Sequence, residues 1–321
     1  MTAFTDSAYA NFPIDRFLDI VRCPVSGERL VREQNELVSA DHINRYRLNP
    51  AGIPLFAEEC LSPETEIQRN HYNEIAKAYT ANLEYPHSQE YLAYLDRVTL
   101  EVFGDANVGT LAELCCGRGE ALKLFGSRAD RYVGIDISEN MLEDTMTSIG
   151  HPQAIFLQAD ATHVPLAPES VDTVIMLGGI HHVPARELLF KEVARILKPG
   201  GRFLYREPVN DFVLWRMLRA LIYRISPMLD HQTERPLVFE ETIPVLRSAG
   251  LRTLAYQTFG FFGFCLFMNS DVLVFNRLFR FIPAIRSITR ASAWVDEAVL
   301  AIPGLERAGL QVVGVAQKEF E

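Results

Sequence analysis

The stretch Gly109–Glu120, G-T-L-A-E-L-C-C-G-R-G-E, decides the fold. Leu111, Ala112 and Leu114 form a short apolar run that stops at Gly117-Arg118-Gly119, and a helical pattern then begins with Ala121, Leu122, Leu124 and Phe125. A buried strand, a glycine turn and a helix in that order make the first βα corner of a nucleotide-binding sheet. The glycines let backbone approach a ligand where a Cβ would collide, and the helix start offers N–H groups with no partner in the helix.

Working outward, the pattern continues downstream. R-Y-V-G-I-D-I-S (131–138) ends a second strand in Asp136, some twenty residues on, where an acid grips ribose hydroxyls in dinucleotide folds. A-I-F-L-Q-A-D (154–160) ends a third strand in Asp160. V-D-T-V-I-M-L (171–177) ends a fourth in Leu177 and runs into Gly178-Gly179-Ile180-His181-His182. An amphipathic helix (187–197) is closed by K-P-G-G (198–201), and R-F-L-Y-R-E (202–207) is the fifth strand.

This series resembles the class I S-adenosylmethionine-dependent methyltransferases. The matching motifs are E-L-C-C-G-R-G (113–119), G-I-D-I-S (134–138), Q-A-D-A (158–161) and L-K-P-G-G (197–201), in the family's order and spacing over about Asn107 to Glu207. The dinucleotide dehydrogenase fingerprint fits less well, because its third glycine falls on Leu122. Cys115 stands where the family more often has glycine.

The resemblance implies an α/β fold, a Rossmann-like seven-stranded sheet with helices on both faces. It implies S-adenosylmethionine as cofactor, S-adenosylhomocysteine as product and no metal. Gly117 and Gly119, with Cys115 beside them, would give backbone room to the cofactor's methionine part, and Glu113 would orient its amino group, directly or through water. Asp136 would take both ribose hydroxyls, and Ile137 and Met141 would sandwich the adenine. Asp160 and the Ala161 N–H would meet the adenine edge, and Leu177 would also contact the cofactor. For Asp160 a plain strand-end or helix cap is the alternative.

Chain organisation follows from the same frame. Residues 1–60 read as a tail followed by a small unit that resembles the zinc-ribbon-like Trm112-type segment of some bacterial methyltransferases. Its Cys-x-x-Cys pairs are missing, since Cys23 is followed by Ser26, so packing must hold it and no metal is expected. Residues 61–105 read as a helical cap over the cofactor site. Tyr72 and Tyr79 share one helical face there; by resemblance they would close over the cofactor, and Tyr79 would touch substrate. An aromatic stripe packed on the sheet fits equally well. The methyltransferase domain, 106–321, would carry lid or insertion segments at about 208–240 and 260–308. The second, between strands six and seven, is densely aromatic: G-F-F-G-F-C-L-F-M (260–268).

For chemistry, His181 and His182 face the acceptor position after strand four, where an imidazole can take a proton. Glu207, ending strand five, is a second candidate base. Loop-shaping histidines and a carboxylate paired with Arg206 or Arg216 are the plainer readings. Tyr79, His181, Arg206, Trp215, Phe261 and Phe262 are the expected substrate contacts. Arg216, Arg219 and Arg224 suit an anionic head group, or form the wet face of one helix.

Composition bounds the rest. The 321 residues are 48% apolar and 22% charged, with a net charge of −10. That balance disfavours nucleic acid, whose phosphates need a basic face. Five cysteines (Cys23, Cys60, Cys115, Cys116, Cys265) form no regular framework, which suits a reducing compartment. With no secretory signal or spanning segment in view, a cytoplasmic location is expected. The expected partner is a small, largely apolar molecule, an isoprenoid, acyl or aromatic metabolite. Peripheral membrane contact and a homodimer stay open. So do two other functions: a protein that keeps the cofactor without methylating, and a non-catalytic membrane-surface or partner-binding protein.

Overall fold

A computed structural model describes residues 13–57, 83–218, 235–268 and 274–320. A 3-10 turn, Pro13–Phe17, leads into a small antiparallel sheet of β1 (Leu30–Glu33), β2 (Glu36–Ser39) and β3 (Arg45–Arg47). Cys23 lies buried in this unit, with Sγ 3.1 Å from the Tyr46 hydroxyl and accepting the Ser26 N–H at 3.3 Å. Apolar packing of Phe17, Val21, Leu37 and Phe56 joins the unit to the main core.

Helix α1 (Pro86–Phe103) starts on a proline, whose missing N–H costs nothing in the first turn, and stops at Gly104 with φ +80°. Tyr91, Tyr94, Leu95 and Val98, spaced three and four apart, turn its apolar face inward. The main sheet follows: β4 (Gly109–Leu114), β5 (Ala129–Asp136), β6 (Ala154–Gln158), β7 (Val171–Leu177), β8 (Leu197–Pro208), β9 (Leu251–Phe259) and β10 (Gln311–Lys318). Between these strands lie α2 (Glu120–Phe125), α3 (Glu139–Ile149), α4 (Arg186–Ile196), α5 (Phe239–Ser248), α6 (Phe262–Met268) and α7 (Ile285–Leu300).

The strands lie in the order β6-β5-β4-β7-β8-β10-β9, parallel except for β10, which is antiparallel to both neighbours. This is the expected Rossmann-like methyltransferase sheet. Successive side chains enter opposite cores. In β8, Phe203 and Tyr205 join one, with α4 and the N-terminal unit, while Leu204 joins the other, with α1 and α2. The order reverses between β4 and β7, and in open α/β sheets ligands bind outside the strands' carboxyl ends at such a point.

The N-terminal unit docks on the β6 edge. Phe56 N–H donates to Gln158 O at 2.8 Å and Gln158 N–H to Pro54 O at 3.0 Å, so residues 54–56 bridge to the end of β6. Arg131 of β5 clamps the same unit, bonding both oxygens of Asp19 and lying 4.3 Å over the Phe17 ring.

Among its described residues, the insertion between β9 and β10 contains α6, a 3-10 run (Val274–Phe281) and α7. Its centre is a buried carboxylate. Asp296 accepts the N–H groups of Phe261 (2.9 Å), Gly263 (3.0 Å) and Phe264 (3.1 Å) at the α6 start, and the Tyr91 hydroxyl of α1 at 2.6 Å. No described helix is long and apolar enough to cross a membrane.

Candidate active site

The turn after β4 is held from beneath and from the side. Glu113, fully buried, accepts Ala121 N–H at 2.9 Å, Leu122 N–H at 3.3 Å and the Tyr132 hydroxyl at 2.5 Å. Burial pushes its carboxyl up to about 8, against the pull of those donors. Above it, Cys115, Gly117 and Gly119 have φ of +52°, +44° and +65°. A Cβ on Gly119 would fall 2.8 Å from Ile149, so that glycine answers to packing as well as to backbone. Thr145 of α3 donates to Gly117 O at 2.6 Å and fixes the turn against the helix.

Asp136 ends β5 beside this turn. Its Oδ2 accepts Gly117 N–H at 2.8 Å and its Oδ1 accepts Ser138 N–H at 2.9 Å. Each oxygen keeps a lone pair for a further donor, and burial raises the carboxyl above its usual range. Ile137 is half-buried, and Ser138 caps α3 by accepting Met141 N–H at 3.3 Å, which brings Met141 over the glycine turn. Asp160 and Ala161 are buried at the end of β6, where Asp160 Oδ1 accepts both the N–H and the hydroxyl of Thr162 at 2.8 Å.

After β7 comes a second turn. Leu177 leads into Gly178, and Gly179 packs so close to Cys115 that a Cβ there would lie 2.6 Å from the cysteine's own. The two turns therefore touch. Glu207, fully buried at the end of β8, gathers this second turn: Oε1 accepts Gly179 and Ile180 N–H at 2.8 Å, and Oε2 lies 2.7 Å from His181 Nδ1. With backbone donors converging on it, Glu207 acts as acceptor, so Nδ1 carries the proton and Nε2 keeps its lone pair. The His181 side chain stays 15% exposed, enough to meet a ligand. His182 packs on it, ring centroids 3.8 Å apart.

Four carboxylates, Asp136, Glu207, Asp160 and Glu113, act electrostatically on Cys115, and with burial as the larger cause they lift its thiol well above the usual value. Cys115 is thus a packing residue, with no thiolate to offer. The same acidic surroundings, with spare lone pairs on Asp136 and left-handed backbone at the glycine turn, fit a cationic ligand that carries a ribose diol.

A model of the methyltransferase domain matches residues 112–205. The methyltransferase GfsG of Streptomyces halstedii is 31% identical over 223 residues, which cover 64% of this chain and 79% of that protein. The chain belongs to the class I S-adenosylmethionine-dependent methyltransferases. A demethylmenaquinone methyltransferase of Bacillus velezensis is 28% identical over 222 residues, 61% of this chain and 94% of its own length. Against two quinone-pathway relatives, from Syntrophotalea carbinolica and Lactococcus lactis, the chain spans only about half the length, 48% and 44%. The [4+2]-cyclase SpnF shares the fold, with a TM-score of 0.54 at 16% identity over 81% of this chain and 98% of its own.

In this methyltransferase several expected contacts take other positions. Glu113 reaches no ligand surface, because its oxygens are engaged under α2. Glu207 is the support of His181 and is itself sealed from any acceptor. Arg206, expected at the substrate, is buried and paired with Asp96 (2.7 Å) and Glu120 (3.0 Å), tying β8 to α1 and α2. Trp215 is also buried; its Nε1 donates to Ala308 O at 2.7 Å and it packs with Phe261, while Phe262 stays exposed. Tyr72, Tyr79, Arg219 and Arg224 lie outside the described residues. Sequence reading missed Tyr132 and Thr145 as supports of the glycine turn; only strand and helix adjacency reveals them. Among the described residues no group of His, Cys, Asp and Glu is arranged to hold a metal ion.

Proposed function

We propose that this enzyme methylates a small, largely apolar molecule at a site whose proton His181 removes. The observation that carries the reading is the His181–Glu207 contact at 2.7 Å. It orients the ring and leaves Nε2 as the accepting nitrogen. Asp136, with the backbone of Gly117 and Gly119, would hold S-adenosylmethionine, which supplies an electrophilic methyl group when bound. Ile137 and Met141 would bracket its adenine, and Asp160 and Ala161 would meet the ring edge.

His181 would draw the proton from an acceptor hydroxyl as the oxygen becomes nucleophilic, and Glu207 would steady the imidazolium so formed. The names of similar proteins, for demethylmenaquinone and for 27-O-demethylrifamycin SV, support an apolar acceptor.

The test has two arms. Calorimetry should find S-adenosylmethionine binding that Asp136→Ala weakens by about 100-fold, the loss of two hydrogen bonds to a charged group. With labelled cofactor and a panel of apolar hydroxyl acceptors, His181→Ala should lower kcat by about 10²–10⁴-fold while leaving cofactor affinity intact. Glu207→Gln turns an amide N–H toward Nδ1 and inverts the tautomer, so it should lower kcat with little change in KM. Full activity in His181→Ala would remove the base. Cofactor binding with no label transferred to any acceptor would favour a non-methylating protein.

A further inference from the structure

We infer that the outer face of the insertion docks on an anionic lipid bilayer. Between Asp271 and Asp296 the sequence has four arginines, Arg277, Arg280, Arg286 and Arg290, and no acidic residue, in a chain of net charge −10. The same stretch holds large apolar side chains out to solvent. Phe275, Leu278 and Phe281 on the 3-10 run and Trp294 on α7 are each more than half exposed. On α7 the inner face is Ile285, Thr289, Ala293, Asp296 and Leu300. Arg286, Arg290 and Trp294 therefore follow one another at four-residue spacing along the outer face.

Exposed aromatic and aliphatic groups beside arginines are what an interfacial segment needs. The rings enter the headgroup boundary and the guanidinium groups meet lipid phosphates. The facing charges leave a positive excess. Glu90 of α1 pairs with Arg290 (2.7 Å) and Arg286 (3.8 Å), and Arg280 lies over the rings of Tyr85 and Phe281. Among the described residues, Glu90 thus answers Arg286 and Arg290, while Arg280 rests on rings. A second copy of the chain would bring the same arginines to the contact and repel, so charge complementarity selects the bilayer.

The face lies at the ligand end of the sheet. Phe103, ending α1, accepts from Arg202 near the start of β8, whereas Arg206 farther along β8 reaches Asp96. Helix α1 therefore runs opposite to β8, and its first turn, where Ser88 bonds Phe267 O of α6, sits at the carboxyl edge. A bilayer held there would bring a lipid-dissolved acceptor to the His181 side. That consequence rests on the proposed acceptor class; the docking does not.

Flotation of the full chain tests the docking without reading methyl transfer. Vesicles of phosphatidylcholine with phosphatidylglycerol should carry the protein up at low salt, those of phosphatidylcholine alone should not, and high salt should release it. Tryptophan emission should shift to the blue on binding, and the shift would report Trp294, because Trp215, the other of the two tryptophans, is 3% exposed. Arg280→Gln with Arg290→Gln should weaken binding about 25-fold, at roughly fivefold per basic residue. Phe281→Asp, on an exposed side chain, should abolish the emission shift with far-ultraviolet circular dichroism unchanged. Protein that stays down with the anionic vesicles at low salt overturns the inference. So does a dimer that Phe281→Asp dissociates in the absence of vesicle binding, which would assign the face to a second copy.

Discussion

After β4 the chain turns over the carboxylate of Glu113; after β9 it turns over that of Asp296. Each buried acid collects N–H groups at a helix start and the hydroxyl of a tyrosine, Tyr132 in the first case and Tyr91 in the second. The sources of the two acids differ. Glu113 stands eight residues before its nearer donor, within one βα corner, whereas Asp296 arrives from a helix 33 residues beyond Gly263. The upper surfaces differ too. Above Glu113 lies left-handed backbone, open to a ligand; around Asp296 lie Phe261, Phe264 and Tyr91, closed on one another. A local acid can shape a turn that the rest of the fold leaves free for binding, while a distant acid stitches two layers together.

The sharpest way to break this comparison is to remove the distant acid. Asp296→Ala strands three N–H groups and a buried hydroxyl, and should cost about 3 kcal/mol of stability in urea unfolding. A loss well under 1 kcal/mol would mean that the stitch is dispensable and the parallel only geometric.

A second measurement sharpens the local side through pH. A carboxyl raised in the folded state gives stability that is whole below its unfolded value of 4.5 and drains away as pH climbs through about 8. The wild-type Tm should therefore fall relative to that of Glu113→Gln across this window, by roughly 2–4 °C in scanning calorimetry. Parallel pH curves would show Glu113 to be ionised beneath the turn.

The smallest effect concerns the turn itself. Cys115 holds φ +52°, a conformation costing a side chain roughly 1–2 kcal/mol, partly offset by glycine's greater freedom when unfolded. Cys115→Gly should stabilise by about 0.5 kcal/mol in chemical denaturation. Clear destabilisation would mean that the thiol's packing on Gly179 outweighs the strain.

The same contrast explains what the sequence disclosed. Strands β4 to β8 are apolar runs with Glu113, Asp136, Asp160, Leu177 and Glu207 at or just beyond their carboxyl ends, and their order and spacing carried the sheet. Positions set by local turns, such as Gly117 and Gly119 after β4, were legible for that reason. Contacts that depend on strand adjacency were not. Glu207 and His181 are 26 residues apart and meet only because β7 and β8 are neighbours. Arg206 looked free to reach a ligand because its partners, Asp96 and Glu120, stand 110 and 86 residues away. Trp215 and Phe261 read as pocket aromatics, yet they close on Ala308 and Leu310 from the far end of the insertion.

The bridge that residues 54–56 make to Gln158 has a consequence for the whole chain. β6 is the rim strand of the main sheet, and a rim strand is a template for pairing with another molecule. The N-terminal unit, covering the end of that rim, should therefore act as a guard against self-association. Shortened versions that begin after it should retain the motifs of the methyltransferase core and still be lost to precipitation.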